Sequence, residues 1–280
     1  MKVLGARNSP TRTADQTEIA RFWSDFSYTA MPPGHFHEIA ITISQNEGLS
    51  LTENARLFGL LGIAQADAAI VTWETKYHYN LWRPVTAIGR ADEDHNEETE
   101  ADPAWEPLLA APPFPEYTSG HSTFSKTAAT VLTLFFGRDD ISFTARSDTL
   151  PGVLRSFTSL SACADEVGMS RIYGGIHYMF ANLAGKRCGD AVARYAVQNY
   201  LLRREDLPCL MCDQAEPGKL RFRLHGWPGV RYAIEAAPDF THWTRVAETE
   251  ARTGGTEFVI DAHAGLPLGF FRAVELDPAR

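Results

Sequence analysis

The sequence predicts a mainly α-helical protein followed by a small C-terminal β domain, and two features of the 280 residues support this order. In the N-terminal part, apolar side chains recur at helical spacing, as Ile19, Phe22, Trp23 and Phe26 do. After Pro208, short stretches alternate apolar and polar residues and are separated by turn residues. We therefore expect a helical domain over residues 1–212 and a β-sandwich-like accessory domain over residues 213–280.

Apolar periodicity and helix-breaking residues divide the N-terminal part into six predicted helices. Pro32-Pro33-Gly34 separates the first two, Gly137 ends the fourth, and Gly174-Gly175 precedes the last. A segment that is acidic at its beginning and rich in proline at its end is predicted to form a long loop over residues 91–118. The six predicted helices cover residues 14–30, 37–46, 51–76, 119–136, 153–170 and 177–203.

Composition argues against two classes of partner. The formal net charge of −9 is unfavourable for general nucleic-acid binding, which depends on basic surface. No continuous apolar run reaches the 18 residues typical of a membrane-spanning helix, so no membrane span is expected. An anion site in this chain must therefore be a local positive cluster within an acidic protein.

Two short motifs place donors where an anion could bind. Lys76 and Arg83 lie seven positions apart, so on one continuous helix their side chains would point the same way. Ser119-Gly120-His121 stands where a helix is predicted to begin, and a helix N-terminus offers free N–H groups and a positive dipole end. Taken singly, a solvated pair of basic residues and an ordinary serine N-cap are the more common explanations.

A third motif pairs Arg171 with His177, six residues later. The planar guanidinium offers a fork of donors to an oxyanion, and the imidazole can serve as nucleophile or metal ligand. By itself, a buried structural histidine would be the simpler interpretation.

In this order and spacing, the three motifs resemble the signature of the type 2 phosphatidic acid phosphatase and vanadium haloperoxidase superfamily. The motifs span residues 76–177, and the resemblance extends over about residues 10–205. Thr118 stands where a proline often precedes the Ser-Gly-His motif. The resemblance implies a helical bundle of the acid phosphatase and vanadium haloperoxidase type.

The resemblance also implies a role for each motif residue. His177 would bond directly to vanadium or phosphorus, and His121 would act as general acid–base on the opposite face. A pentacoordinate phosphoryl transition state and trigonal-bipyramidal vanadate share one shape, so one cage of donors serves both. That cage would consist of Lys76, Arg83, Ser119, Gly120 and Arg171.

Within the superfamily, the chain is more similar to the haloperoxidases. Trp73 lies three residues before Lys76 and Phe114 lies seven before His121, where fungal chloroperoxidase-like members carry aromatic residues that line the halide pocket. Core packing is the alternative explanation for both aromatic residues. Ala181 stands where several characterised haloperoxidases have aspartate.

The function expected from this resemblance is oxidation of a halide by hydrogen peroxide at vanadate bound to His177, with phosphate as another possible occupant of the site. A phosphatase that hydrolyses phosphate esters through a phosphohistidine is the first alternative, and a non-catalytic oxyanion-binding protein is the second. A homodimer would cover apolar faces that a lone helical domain exposes. The resemblance is compatible with a secreted or periplasmic location, although no signal peptide is visible at the N-terminus.

Overall fold

The computed structural model describes residues 1–202, 208–216, 218–261 and 269–276. The chain divides into two compact units, Met1–Leu201 and Leu202–Arg280. The first unit is a helical bundle and the second contains sheets, as the sequence predicts. The domain limit expected at residues 212 and 213 falls inside the first strand of the second unit, which begins at Cys209.

The helical unit is organised around α6, which packs against α3, α4, α7 and α8. Its elements are α1 (Lys2–Gly5), α2 (Ala14–Phe22), α3 (Met31–Asn46), α4 (Leu51–Tyr79), α5 (Pro84–Gly89), a 3₁₀ turn (Ala91–Glu93), α6 (Gly120–Phe136), β1 (Phe143–Arg146), β2 (Leu154–Phe157), α7 (Leu160–Tyr173) and α8 (Met179–Asn199). The connection from the 3₁₀ turn to α6 has little regular structure, in agreement with the predicted loop.

Local sequence determines where the longest helix begins and ends. Ser50 and Glu53 form a capping box at the start of α4, in which each side chain bonds to the backbone N–H of the other. Asn80 ends α4 in the left-handed conformation, with φ 46° and ψ 44°. Lys76 and Arg83 do not share one continuous helix, because α4 ends between them and Arg83 is the N-cap residue of α5.

Other helix limits also differ from the prediction, and the first helix, predicted to reach residue 30, ends at Phe22. The prolines at positions 32 and 33 lie in the first turn of α3 and do not precede it, because the first turn needs no backbone donor. Residues 153–170 do not form one helix: β1 and β2 pair as a hairpin, and α7 begins only at Leu160. Helix α8 ends at Asn199, and the predicted end at Arg203 lies outside the described residues.

The segment Leu51–Gly89, which contains α4 and α5, is long and apolar enough to cross a membrane by length and composition, because an 18-residue window within it has a mean hydropathy of 1.3. The core helix of a soluble bundle satisfies the same criterion. In this bundle, one face of α4 is buried in the main hydrophobic core through Leu57, Leu60, Leu61 and Ala64. The sequence-based expectation missed this segment because polar residues interrupt its apolar runs.

The second unit contains two three-stranded antiparallel sheets, with strand orders β3-β4-β7 and β6-β5-β8. Leu224 of the first sheet and Tyr232 of the second belong to one buried hydrophobic cluster. The strands are β3 (Cys209–Glu216), β4 (Lys219–His225), β5 (Arg231–Ala237), β6 (Thr244–Glu250), β7 (Thr256–Asp261) and β8 (Phe270–Glu275).

Helices α6 and α8 approach closely because α8 carries glycine where they meet. A Cβ atom built on Gly185 would lie 2.7 Å from the Ser119 carbonyl oxygen. A Cβ on Gly189 would collide with the Thr123 carbonyl oxygen and lie 3.0 Å from the Thr127 nitrogen. This contact brings the start of α6, where Ser119 stands, against the first turns of α8, and Ser119 donates its N–H to the Ala181 carbonyl at 3.3 Å.

We expect Gly189→Ala to lower the free energy of unfolding by about 1–3 kcal/mol, because the added methyl group overpacks the α6–α8 contact. Gly62→Ala in α4 is the matched control, because its Cβ would meet no atom within 4 Å. The control should raise stability by about 0.5–1 kcal/mol through reduced backbone entropy of the unfolded chain. Denaturant unfolding followed by helical circular dichroism measures both, and similar changes in the two variants would contradict the tight contact.

Candidate active site

A cavity of about 550 Å³ in the helical unit brings together all of the sequence-predicted site residues except Ser119. Its wall is formed by the segment between α2 and α3, the start of α3, α4, the proline-rich loop, the start of α6, the end of α7 and the residues that follow α7. The predicted residues that line it are Trp73, Lys76, Arg83, Phe114, Gly120, His121, Arg171 and His177. Side chains far apart in sequence therefore share one cavity.

One wall of the cavity is aromatic. The Trp73 ring centroid lies 5.4 Å from that of Phe114 and 6.3 Å from that of Phe124. Phe114 also contacts two cations, with the Lys76 Nζ 5.4 Å and the Arg83 Cζ 5.0 Å from its ring centroid. These distances are within the range of cation–π attraction, so Phe114 joins the apolar wall to the charged part of the site.

Arg83 is buried and uses most of its donors within the protein. Its Nε donates to the Phe114 carbonyl at 2.9 Å, and its Nη1 lies 2.8 Å from the Ile176 carbonyl and 3.0 Å from the His177 Nε2. Its Nη2 is buried and has no protein partner. Burial lowers the pKa of Arg83 to about 10, so the guanidinium stays charged at neutral pH and Nη2 remains an available donor.

His177 is held between a cation and a carboxylate. Its Nδ1 lies 2.6 Å from the Glu116 Oε1, and the same oxygen accepts the Tyr178 backbone N–H at 3.0 Å. Burial, followed by the charges of Arg83 and Lys76, lowers the pKa of His177 well below its usual value. Burial raises the pKa of Glu116 to about 7. The imidazole is therefore neutral at neutral pH.

His121 occupies the first turn of α6 and faces Asp25. The distance from its Nε2 to the Asp25 Oδ2 is 3.7 Å, too long for a hydrogen bond, and this buried nitrogen has no other partner. Burial, followed by the charge of Arg171, lowers the pKa of His121 well below its usual value. The other oxygen of Asp25 lies 3.1 Å from the His35 Nδ1.

Lys76 is buried, and its ammonium group holds the loop before α6. Its Nζ donates to the carbonyls of Pro115 at 3.1 Å and Glu116 at 3.0 Å, and also to that of Thr118. These three carbonyls match the three protons of the ammonium group. Burial, followed by the charge of Arg83, lowers the pKa of Lys76 to about 7. Lys76 thus both lines the cavity and anchors residues 115–118.

Arg171 is likewise fastened to backbone carbonyls. Its Nη2 donates to the Trp23 carbonyl at 2.6 Å and the Ala20 carbonyl at 3.3 Å, and its Nε donates to the Ser170 Oγ at 2.9 Å. Burial lowers its pKa to about 10. Since this pKa is well above neutral pH, Arg171 contributes a fixed positive charge to the cavity.

Ser119 and Gly120 differ in how they meet the cavity. Ser119 is fully buried as the N-cap of α6, and its Oγ accepts from the Ser122 Oγ at 2.8 Å and from the Ser122 N–H at 3.4 Å. Gly120 lines the cavity, and a Cβ there would lie no closer than 3.6 Å to other protein atoms, here the Thr72 Cγ2. Protein packing alone therefore does not require glycine at position 120.

The sequence did not predict three polar residues at or beside this site, Asp25, His35 and Glu116, or Phe124 of the aromatic wall. Glu116 lies inside the proline-rich loop, three residues before Ser119, and an acidic residue so close to a predicted cationic motif was the available signal. Asp25 falls inside the first predicted helix, over residues 14–30, and His35 directly follows Pro32-Pro33-Gly34, which is interpreted above as a helix break. Nothing in either segment indicates that it faces His121.

The donor set fits an oxyanion better than a bare metal cation. Among the described residues, no group of three or more His, Cys, Asp or Glu side chains could hold a metal ion. The cavity instead presents three cationic side chains and two buried nitrogen atoms without hydrogen-bond partners, Arg83 Nη2 and His121 Nε2. Buried polar atoms are rarely left unpaired in proteins, so these two indicate a polar ligand. A metal would have to enter as an oxyanion.

Comparison with known proteins decides the family. The family described as the VCPO second helical-bundle domain matches residues 56–204, which is more than half of the chain. The chain belongs to this family. Its resemblance to the vanadium haloperoxidases, stated from the motifs, is thereby confirmed.

Individual relatives agree with this family. The chain is 27% identical, over 238 residues, to the vanadium chloroperoxidase of Curvularia inaequalis, covering 65% of this chain and 38% of the fungal protein. A bacterial vanadium-dependent iodoperoxidase of known structure is 36% identical, with a TM-score of 0.61 over 70% of this chain and 47% of its own. A holo-type bacterial vanadium-dependent chloroperoxidase, 17% identical, shares the fold with a TM-score of 0.53, covering 70% of this chain and 45% of its own. The chain thus spans less than half the length of each of these proteins.

The pKa values in the cavity predict that anion binding weakens as pH rises through about 7. Below that pH, Lys76 is charged and Glu116 is neutral; above it, Lys76 becomes neutral and Glu116 negative. Both changes make the cavity less positive. Sulfate is a suitable probe because it stays doubly charged between about pH 6 and pH 9, and calorimetry at several pH values gives its affinity.

In Lys76→Met, sulfate affinity should fall less steeply between about pH 6 and pH 9 than in the wild type, because the variant has no ammonium group to lose its charge. Lys126→Met is the matched control, because Lys126 lies on α6 but does not line the cavity. Sulfate affinity that rises with pH in the wild type would contradict the predicted direction.

Proposed function

We propose that the helical unit is the catalytic domain of a vanadium-dependent haloperoxidase, which oxidises a halide with hydrogen peroxide. The main support is a cavity in which three cationic side chains and two unpartnered buried nitrogen atoms lie together with the neutral His177. Vanadate would be held by Lys76, Arg83, Ser119, Gly120 and Arg171, with His177 as its direct ligand. When bound, vanadate supplies a Lewis acid that polarises hydrogen peroxide.

The cationic side chains would bind and orient the oxyanion. Arg83 offers its free Nη2 to an oxyanion oxygen, which would remove the cost of leaving a buried donor unpaired. Arg171 adds a positive charge that its bonds to the Trp23 and Ala20 carbonyls keep in place. Lys76 already donates to three carbonyls, so we propose that it acts chiefly by its charge and by holding the loop.

His121 is our proposed acid–base group. Its Nε2 is buried, lacks a protein partner and belongs to an imidazole that is neutral at neutral pH, so this atom can accept a proton. Asp25, 3.7 Å away, would stabilise the positive charge that forms when the proton arrives. The bond from Asp25 to His35 on its other side keeps the carboxylate in position.

The aromatic wall favours halide oxidation over phosphate ester hydrolysis. Trp73, Phe114 and Phe124 form an apolar surface next to the charged groups. Burying a doubly charged phosphate monoester against that surface would be costly, whereas a weakly hydrated halide loses less on leaving water. The wall also limits the access of bulk water to reactive species. Phosphate hydrolysis through His177 is the second candidate, because the same cage of donors suits phosphate.

We further propose that the second unit is a small β-sandwich accessory domain without a direct role in the chemistry. Side chains of both sheets share one hydrophobic cluster, which is the arrangement that two packed sheets require. All residues assigned above to the oxyanion site belong to the first unit.

We expect His177→Ala and His121→Ala to have different effects. Loss of His177 removes the direct ligand, so tight vanadate binding should disappear in calorimetry. Loss of His121 removes proton transfer, so vanadate affinity should change little while turnover falls by about 10²–10⁴-fold. His78→Ala, an exposed histidine of α4, is the control and should change neither quantity. Vanadate affinity equal to wild type in His177→Ala would refute the ligand assignment.

Two assays on one preparation should separate peroxidase from phosphatase. We expect the vanadate-loaded protein to oxidise bromide in the presence of peroxide, because the cavity joins an oxyanion cage to an apolar wall. The vanadate-free protein should hydrolyse phosphate monoesters only slowly, and vanadate should inhibit that hydrolysis. Fast ester hydrolysis together with no vanadate-dependent bromide oxidation would assign the chain to the phosphatases.

A further inference from the structure

We propose that Glu116 is a positioning residue that fixes the ring orientation of His177 and directs its Nε2 electron pair toward the oxyanion. This inference rests on the proposed function, because it takes Nε2 as the atom that bonds to the oxyanion. Glu116 does not line the cavity, so it would not touch the oxyanion, and it would position the bonding atom through His177.

One carboxylate oxygen holds both the imidazole and the backbone beside it. The Glu116 Oε1 lies 2.6 Å from the His177 Nδ1 and 3.0 Å from the Tyr178 nitrogen. The side chains of Glu116 and His177 are 0% and 4% exposed, so water does not compete for these bonds. Two contacts to consecutive residues restrict both the ring and the backbone that leads into α8.

The opposite side of the ring determines which nitrogen carries the proton. The Arg83 Nη1 lies 3.0 Å from the His177 Nε2, and a guanidinium can only donate. The Nε2 atom must therefore accept and carries no hydrogen. The proton of the neutral imidazole is then on Nδ1, where the Glu116 Oε1 accepts it.

With its proton on Nδ1, the His177 imidazole has a free electron pair on Nε2 that can bond to an oxyanion. A carboxylate that accepts from the far nitrogen of a ligating histidine orients the ring and increases its basicity. The Arg83 Nη1 also donates to the Ile176 carbonyl at 2.8 Å. When an oxyanion bonds to the His177 Nε2, Nη1 therefore loses one acceptor and still has the other. Lys76 strengthens the arrangement, since its Nζ donates to the Glu116 carbonyl at 3.0 Å and holds the backbone of the positioning residue.

Removal of the Glu116 side chain should change vanadate affinity in the direction opposite to that expected from charge alone. Removing a buried negative group from an anion site would, by charge alone, tighten anion binding. Loss of positioning would instead weaken the bond from His177. We expect Glu116→Ala to weaken vanadate binding about 10–100-fold, as loss of such partners typically does. Sulfate forms no direct bond between its central atom and a histidine nitrogen. Sulfate should therefore bind Glu116→Ala as tightly as wild type or more tightly.

Glu116→Gln is the conservative variant, because its amide oxygen can still accept from the His177 Nδ1 and the Tyr178 N–H. It should recover most of the vanadate affinity lost in Glu116→Ala. Glu74→Gln, which removes an exposed carboxylate from α4, is the control for net charge and should bind vanadate like wild type. Vanadate affinity in Glu116→Ala equal to or above that of wild type would overturn the proposal.

A spectroscopic test needs no vanadate. Proton–nitrogen spectra of the vanadate-free protein with isotope-labelled histidine should show a strongly downfield Nδ1–H signal that disappears in His177→Ala. The signal should move upfield but persist in Glu116→Gln, and disappear in Glu116→Ala. A wild-type spectrum with the His177 proton on Nε2 would refute the positioning role. If the wild type fails to bind vanadate, the proposed function fails, while this signal still decides whether Glu116 holds His177.

Discussion

The burial of like charges in one cavity is the constraint on which the rest of the site depends. Lys76, Arg83 and Arg171 are all almost fully withdrawn from solvent, and burial lowers the pKa of each. A buried cation is tolerated only when acceptors surround it. Here the acceptors are mainly backbone carbonyls, supplied by the end of α2, the loop before α6 and the junction of α7 and α8. Hydrogen bonds from the three cationic side chains to these carbonyls hold the segments in position.

This arrangement explains why a long loop is ordered next to the site. Lys76 bonds three carbonyls of the segment that leads into α6, and Arg83 bonds the Phe114 carbonyl just before it. The loop in turn delivers Phe114 to the aromatic wall and Glu116 to His177. Substitution of a cation should therefore disturb the apolar wall and the histidine together, because one set of hydrogen bonds maintains both.

The two histidines stand in different electrostatic settings, although burial keeps both neutral. His177 touches a carboxylate and a guanidinium, each of which restricts one ring nitrogen. His121 leaves its Nε2 unpaired, with Asp25 near enough to stabilise a charge but too far to bond. A group that must form one directed bond benefits from rigid partners, whereas a group that gains and loses a proton needs a free atom. The difference between the two settings supports the division of labour proposed above.

The sequence by itself determined the order of a helical and a sheet-containing region and the family, because periodicity and motif spacing are local properties. It also indicated the start of α6 at Ser119-Gly120-His121, since capping depends on neighbouring residues. Only the tertiary structure decided that Asp25 and Glu116 reach the two histidines, across 96 and 61 positions of the chain respectively. It also decided that the Arg83 side chain, which lies beyond the end of α4, reaches the same cavity as Lys76. Burial and long-range hydrogen bonds control these features, and no local pattern encodes them.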